Sequence, residues 1–327
     1  MIQPTDAVPE GQLKSVRQRR GVLLSVATTL ILLASAAIIT KQLIGQIDIV
    51  REQVRTLRLT HLLWPVLMTL MALLLDTLCW HLAVATSAAH PPALPLSESF
   101  AILNASNLSK YLPGKVWAYA VQAHILRARG LPVSATLYAN VTLSAAAITA
   151  VGWLLAFGAL WLPNRAAGLA IAAGLAILLT SLHLYYGPLM AALVSFVRRR
   201  WGWSLPIEPV SPGTYLVLLL YNIANLLLLG AAAAFVITEL NGPLTAVQVA
   251  AVIVVTAVSW AVGYAAFFVP AGLGVRETAM LALLANVGVA GSVVLVPLVT
   301  RAVVLASEML FGGVGLLMLW RLAARRR

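Results

Sequence analysis

Long uninterrupted apolar stretches are the feature that most constrains the fold of this chain. Several of them reach the roughly 20 residues that a helix needs to cross the hydrocarbon core of a bilayer. They lie at about 21–39, 62–87, 132–161, 166–190, 214–238, 245–269 and 292–319. Because 61% of the 327 residues are apolar and only 10% are charged, the composition excludes a soluble globular domain. The sequence predicts an all-α polytopic integral membrane protein with about eight long transmembrane helices.

Two proline-glycine elements interrupt helices at membrane depth. The first reads Leu112-Pro113-Gly114-Lys115 and the second reads Val269-Pro270-Ala271-Gly272. Proline lacks an N–H group and glycine admits unusual dihedrals, so a helix stops there and leaves backbone groups free to face a polar cavity. We therefore expect broken or re-entrant helices, at about 95–112, 114–129 and 271–290.

The residues that follow the two elements match each other. A glycine comes 17 residues after the first proline, at Gly130, and 18 residues after the second, at Gly288. From there the register holds, and the matched pairs are Ser134 with Ser292, Leu137 with Leu295, Val141 with Val299, and Thr142 with Thr300. The pattern predicts an internal repeat with copies at about 95–161 and 245–319, an architecture that recurs in secondary transporters.

Clusters of lysine and arginine set the expected topology. The clusters assigned to the cytoplasmic side are Lys14 to Arg20, Arg127 with Arg129, Arg198 to Arg200, and Arg321 with Arg325 to Arg327. We expect one transmembrane domain at 21–320 between cytoplasmic tails 1–20 and 321–327, in the cytoplasmic (inner) membrane of a bacterium. The parity of the crossings then inverts the second repeat copy relative to the first. Arginines and a lysine in a predicted outer loop are interpreted as part of an amphipathic interfacial helix: Lys41, Arg51, Arg55 and Arg58.

Charged residues at membrane depth are the candidate binding residues, because burying a charge in the bilayer is costly. The acidic ones are Asp76, Glu277 and Glu308, and the basic ones near the breaks are Lys110, Lys115, Arg276 and Arg301. A helix that restarts after a break presents unpaired N–H groups that favour an anion. Lys115 and Arg276 lie in such first turns and would suit a phosphate head group. Interfacial snorkelling for the two lysines and a structural ion pair between Arg276 and Glu277 are the alternatives.

Helical spacing groups some of these candidates. Arg301 and Glu308 are two turns apart on one face, so both can face the bundle interior. Asp76 could relay a proton or another ion, as could Glu308, although Asp76 could instead make a packing hydrogen bond. A polar stripe, Asn104 and Asn107, leads into the first break and is a candidate for substrate contact, while Asn222 and Asn225 repeat that spacing. Both asparagine pairs could equally join helices to one another.

Motifs for catalysis or metal binding do not occur. The five histidines form no ligand spacing, the single cysteine is Cys79, and no P-loop or nucleophile elbow is present. We therefore expect no catalytic residues, no metal and no cofactor. The net charge of +12 serves topology and contact with membrane lipids, so no nucleic-acid partner is expected.

Two ordered signatures resemble those of the lysylphosphatidylglycerol synthase transmembrane, or flippase-like, family. The first runs from Asn104 through Lys115 to Gly130, and the second from Val269 through Glu277 and Gly288 to Arg301 and the glycines at 312, 313 and 315. The family resemblance implies movement of phospholipids or lipid-linked molecules between leaflets. It also implies the membrane domain without a synthase domain, because the chain ends at Arg327. Thr142-Leu143 stands where the family pattern leads us to expect a glutamate-arginine pair.

The leading hypothesis is a flippase-like transporter of a phospholipid or a lipid-linked anionic molecule, with a polar midplane site at the two breaks. One alternative is an intramembrane transferase that acts on a lipid-linked substrate. Another is a non-transporting membrane partner of a soluble synthase or glycosyltransferase. The sequence leaves the lipid, the coupling ion and a homo-oligomeric state open.

Overall fold

The computed structural model describes residues 29–30, 33–91, 93–112, 116–162, 164–202, 207–266 and 269–324. Within these ranges all regular secondary structure is helical, and no strand is present. The α-helices are α1 (Leu33–Gly45), α2 (Ile47–Thr56), α3 (Leu63–Ala85), α4 (Leu96–Asn107), α5 (Val116–Arg127), α6 (Val133–Ala159), α7 (Arg165–Trp201), α8 (Pro212–Asn241), α9 (Ala246–Ala265), α10 (Val275–Leu284) and α11 (Val296–Ala324). Short 3-10 turns occupy Leu59–Leu62, Leu108–Tyr111 and Pro270–Gly272.

Six helices in the described part of the chain are long and apolar enough to cross a membrane. They are α3 with its preceding turn, α6, α7, α8, α9 and α11. A seventh span results if α1 and α2, which meet at 85°, are counted as one broken span. The predicted all-α polytopic membrane fold is confirmed, whereas the predicted count of about eight is not. Much of the expected span at 21–39 lies outside the described residues, and α4, α5 and α10 have only 10 to 12 residues each.

Local sequence signals fix where several of these helices begin. The Asn164 side chain accepts a hydrogen bond from the Ala167 N–H at the start of α7. Ser211 caps α8, whose first residue is Pro212, and Thr245 forms a capping box with Gln248 at the start of α9. These side chains satisfy N–H groups that a helix start would otherwise leave unpaired. The helix starts predicted from apolar length alone are therefore shifted by only one to four residues.

Helix α8 defines two ends of the bundle, which we call the Pro212 end and the Asn241 end. At the Pro212 end a core cluster joins Val84 of α3, Leu126 of α5 and Tyr138 of α6 to the start of α8. At the Asn241 end another cluster joins Val252 of α9 and Leu284 of α10 to the last turns of α8. It follows that α5 ends near one end of α8 and α10 ends near the other.

The described arginine clusters predicted to be cytoplasmic lie at the Pro212 end. Arg129 forms an ion pair with Glu98 at the start of α4, and Leu131, two residues later, belongs to the Pro212-end cluster. Helix α7 passes close to Val210 at Gly187 and then continues to Arg198–Arg200. Leu319, just before Arg321, also packs on the Pro212-end cluster. All three groups therefore occupy one end, as the distribution of positive charge requires.

Candidate functional site

The turn that leads into the first helix break meets the second break inside the bundle. The turn Leu108–Tyr111, which precedes the first proline-glycine element, contacts the turn Pro270–Gly272 of the second. Helix α4 reaches this point from the Pro212 end, and α9 reaches it from the Asn241 end. The predicted break residues Pro113 and Gly114, and the predicted head-group ligand Lys115, lie outside the described residues.

The second break is held tightly against the end of α9. Gly272 has a φ of +67°, and a Cβ added there would lie 2.7 Å from the carbonyl oxygen of Gly263. Glycine alone fits both the dihedral and the close approach. Ala271 also has a positive φ, of 48°, and its carbonyl oxygen accepts a hydrogen bond of 3.4 Å from the Arg301 guanidinium. Arg301 on α11 thus contacts the strained backbone of the break directly.

A polar cavity of about 250 Å³ lies where the breaks meet, and we call it the main cavity. The charged and amide residues that line it are Asp76, Asn107, Lys110, Arg276, Arg301 and Glu308. A side lobe of about 100 Å³ adjoins it and extends between α3 and α8. The main cavity is large enough to contain several water molecules, which charged walls require.

One ion pair links the first break to α11. The Lys110 ammonium lies 2.7 Å from Oε1 of Glu308, and the Tyr111 hydroxyl donates a hydrogen bond to the other oxygen of that carboxylate. The Lys110 side chain is 29% exposed and the Glu308 side chain is 12% exposed. Because both groups are largely enclosed, water cannot fully replace either one as the partner of the other. The stability of the pair therefore depends on the geometry between the two groups.

A second pair links α10 to α11. Nε of Arg301 lies 3.5 Å from Oε1 of Glu277, a distance and geometry that give an ion pair without a hydrogen bond. The other carboxylate oxygen of Glu277 accepts a hydrogen bond of 2.6 Å from the Gly274 N–H, so the side chain also caps the start of α10. One carboxylate oxygen of Glu277 therefore caps α10, and the other pairs with Arg301.

Two charges that face the cavity remain unpaired within the described structure. Arg276 makes no ion pair or hydrogen bond there, and the carboxylates that act on it electrostatically, Glu277 and Glu308, are already engaged by Arg301 and Lys110. Asp76 accepts a hydrogen bond of 2.9 Å from Asn225 and forms no ion pair with a described residue. The cavity thus presents one cationic and one anionic group to whatever occupies it.

The asparagines next to the first break separate into two environments. Asn107 lines the cavity, whereas Asn104 is buried and donates hydrogen bonds to the Thr77 hydroxyl at 3.1 Å and the Phe100 carbonyl at 2.9 Å. Asn104 therefore joins α4 to α3 and is not among the cavity-lining residues.

Comparison with known proteins decides the family. The sequence profile described as the lysylphosphatidylglycerol synthase TM region matches residues 22–312. The chain belongs to this family. No curated protein and no solved structure matches the chain significantly. The resemblance inferred from the two signatures is confirmed, and the matched region includes every residue that lines the main cavity.

Several residues of this family member's site were not singled out from the sequence. Tyr111, Tyr119, Trp260 and Tyr264 line the cavity or bond its charges, and the Trp260 and Tyr264 rings stack with centroids 5.2 Å apart. Tyr111 lies within the first signature, next to Lys110, so its position in the sequence could have marked it as a candidate site residue. The aromatic residues of α9 carry no such signal, because aromatic residues are common in apolar helices.

A buried amide, Gln122, fixes the short helix α5 against its neighbours. Its Oε1 accepts hydrogen bonds from the Trp80 indole at 3.3 Å and the Asn140 amide at 2.9 Å, while its Nε2 donates to the Ser106 hydroxyl at 3.0 Å. Four helices therefore share one satisfied polar network, which is what a non-spanning helix within a membrane bundle needs.

Proposed function

We propose that the protein is a flippase-like transporter that moves a phospholipid or a lipid-linked anionic molecule between leaflets. The observation that carries the proposal is the unpaired Arg276 guanidinium in a polar cavity at the meeting point of two helix breaks. An arginine at membrane depth with no carboxylate of its own suits a phosphate oxygen, which it can bind through two N–H groups. The hydrocarbon tails would remain in the bilayer, so the cavity needs to accommodate only the head group.

The arrangement of the two breaks supports an alternating mechanism. Helix α4, the first break, α5 and α6 follow the same order as α9, the second break, α10 and α11. The two short helices end at opposite ends of α8, which is what an inverted repeat requires. In transporters of this type a midplane site is exposed to one side and then the other as the repeats rock against each other. We propose the same relation here, in a bacterial cytoplasmic membrane.

Reconstitution tests the proposal. The protein is reconstituted into vesicles that contain a trace of head-group-labelled anionic phospholipid, and a membrane-impermeant quencher is added. Label from the inner leaflet should then reach the outer leaflet and be quenched faster than in protein-free vesicles. Arg276→Gln should reduce the protein-dependent rate by about tenfold or more, since it removes the charge and leaves a shorter, neutral polar side chain. Arg198→Gln is the matched control, because that arginine is exposed at the end of α7. Equal rates for the wild type and Arg276→Gln would contradict the assignment.

Lys115 is the second residue for this assay. It lies just after the first break in the sequence and is predicted to contact the same head group. Lys115→Gln should lower the rate without lowering the yield of folded protein. If the labelled lipid is instead chemically converted by purified protein, or if activity requires a co-purifying synthase or glycosyltransferase, transport is not the primary function.

A further inference from the structure

The side lobe between α3 and α8 has a lining of oxygen acceptors. Thr69 and Asp76 of α3 face Asn222 and Asn225 of α8 across it. Asn222 and Asn225 are only 9% and 8% exposed. Polar side chains this deep in an apolar bundle need partners for all of their polar atoms.

The orientation of both amides follows from their hydrogen bonds. Nδ2 of Asn222 donates to the Leu218 carbonyl at 2.8 Å, and Nδ2 of Asn225 donates to the Ala72 carbonyl at 2.8 Å. A carbonyl oxygen can only accept, so the group directed at it must be the NH₂ of the amide. The amide oxygens of both residues are therefore left for the lobe, and neither has a hydrogen-bond donor among the described residues.

Two further oxygens complete the set. The Thr69 hydroxyl donates its proton to the Pro65 carbonyl at 2.8 Å, which leaves its lone pairs unused. One oxygen of Asp76 accepts from Asn225, and the other has no partner in the described structure. The lobe thus offers one carboxylate and three neutral oxygens from two adjacent helices.

Among the charged groups around the lobe, Asp76 is the acidic one that forms no ion pair with a described residue. Lys110 and Glu308 also line the lobe, but they form an ion pair with each other. Arg276 lines both the lobe and the main cavity and makes no ion pair with Asp76. A single unpaired carboxylate with neutral oxygen ligands matches an ion of single positive charge. An oxygen-only ligand set favours a hard ion over a transition metal.

We propose that the side lobe is a binding site for a small monovalent cation, Na⁺, coordinated by Asp76 with the amide oxygens of Asn222 and Asn225. A volume of about 100 Å³ accommodates the ion together with a few of its waters. The inference does not depend on lipid transport, because the site can bind an ion whether or not a lipid moves. It adds a coupling site to the transporter if transport is shown.

Direct binding to purified full-length protein tests the site. Radioactive Na⁺ should bind saturably in choline buffer, at about one ion per chain, and Na⁺ should raise the melting temperature with the same half-saturation. Asp76→Asn and Asn225→Ala should each weaken Na⁺ binding by about tenfold or more. Asn286→Ala is the control: that side chain donates to the Ala282 carbonyl, is exposed just after α10 and should leave binding unchanged.

Cys79 supplies a readout in the unmodified protein. Its sulfur lies 3.3 Å from Nδ2 of Asn222 and is the single thiol of the chain. Na⁺ that orders Asn222 should slow alkylation of Cys79 with the half-saturation measured by binding, whereas choline should not. Absence of saturable binding together with alkylation rates that ignore Na⁺ would overturn the proposal. The proposal would also be overturned if methylammonium or low pH slowed alkylation of Cys79 and Na⁺ did not.

Discussion

Replacing Glu308 with glutamine isolates the contribution of the ion pair between the first break and α11. The change preserves the shape of the side chain, removes its charge and leaves the Lys110 ammonium in the cavity without its carboxylate. Removing one partner of a fully buried pair costs about 3–5 kcal/mol, and an exposed pair contributes about 0–1 kcal/mol. Here the two side chains are 29% and 12% exposed, so water compensates Lys110 in part. We expect Glu308→Gln to lower the free energy of unfolding by about 2–3 kcal/mol.

A double-mutant cycle separates the pair from other effects of the change. Lys110→Met should cost a similar amount, because it leaves Glu308 with only the Tyr111 hydroxyl. The double variant has no stranded charge, so its loss should be smaller than the sum of the two single losses by about 1–2 kcal/mol. Reversible unfolding in mixed micelles, followed by tryptophan fluorescence, measures all four free energies.

A matched control comes from the surface of α2. Asp48 and Arg51 form an ion pair of 3.5 Å whose side chains are 91% and 60% exposed. Asp48→Asn should change the free energy of unfolding by less than about 0.5 kcal/mol. If the Lys110 and Glu308 losses add to within about 0.5 kcal/mol, the two residues do not interact in solution, and the reasoning about the cavity walls is wrong.

Two other changes test how the site is held. Gly315→Ala would place a Cβ 2.9 Å from a backbone carbonyl of α4, which cannot move aside. It should destabilise the protein by about 1–3 kcal/mol. A Cβ added at Gly313 has no neighbour within 4 Å, so Gly313→Ala should be neutral or slightly stabilising. Similar unfolding free energies for these two variants would argue against close packing of α4 and α11. Gln122→Leu leaves the Trp80 and Asn140 donors without the Gln122 oxygen as acceptor, and it should lower the free energy of unfolding by about 2–4 kcal/mol. A shift in tryptophan emission is the second readout. Unchanged stability and emission would show that the amide network does not hold α5.

Apolar length predicted where most of the spans lie, because a bilayer imposes that length on any helix that crosses it. It did not predict where α7 ends. The apolar stretch stops near residue 190, but the helix continues to Trp201 and reaches about 55 Å, well beyond the hydrocarbon thickness. A helix that has crossed the bilayer can continue into water without a break, so the arginines at its end lie on the same helix as the span.

The cost of charge at membrane depth predicted several of the residues that line the main cavity. Seven residues were chosen on that basis, and five of them line the main cavity: Asp76, Lys110, Arg276, Arg301 and Glu308. Glu277 does not line it, and Lys115 lies outside the described residues. Their partners were not predictable in the same way. Lys110 and Glu308 are 198 residues apart, and only the packing of α4 on α11 brings them together. Nothing local in the sequence carries that information.

The two asparagines before the first break show a finer limit. Asn104 and Asn107 are three residues apart, and helical spacing places them on one polar stripe. Yet α4 ends at Asn107 and continues as a tighter 3-10 turn, so the second amide follows the turn into the cavity while the first stays against α3. The point at which a helix tightens depends on tertiary contacts, and spacing alone cannot assign the roles of the two residues.

The two unpaired charges require that the cavity contain water or a polar ligand. Arg276 and Asp76 have opposite signs and line one space, yet they form no ion pair, because α10 and α3 hold them apart. If they paired, the cavity would be electrically satisfied and would have no affinity for an anion or a cation. Held apart, each must be solvated by water or by a ligand of opposite charge, since an unsolvated charge in the bilayer is too costly. The proposed anion site and the proposed cation site would need this separation in order to be available together in one cavity.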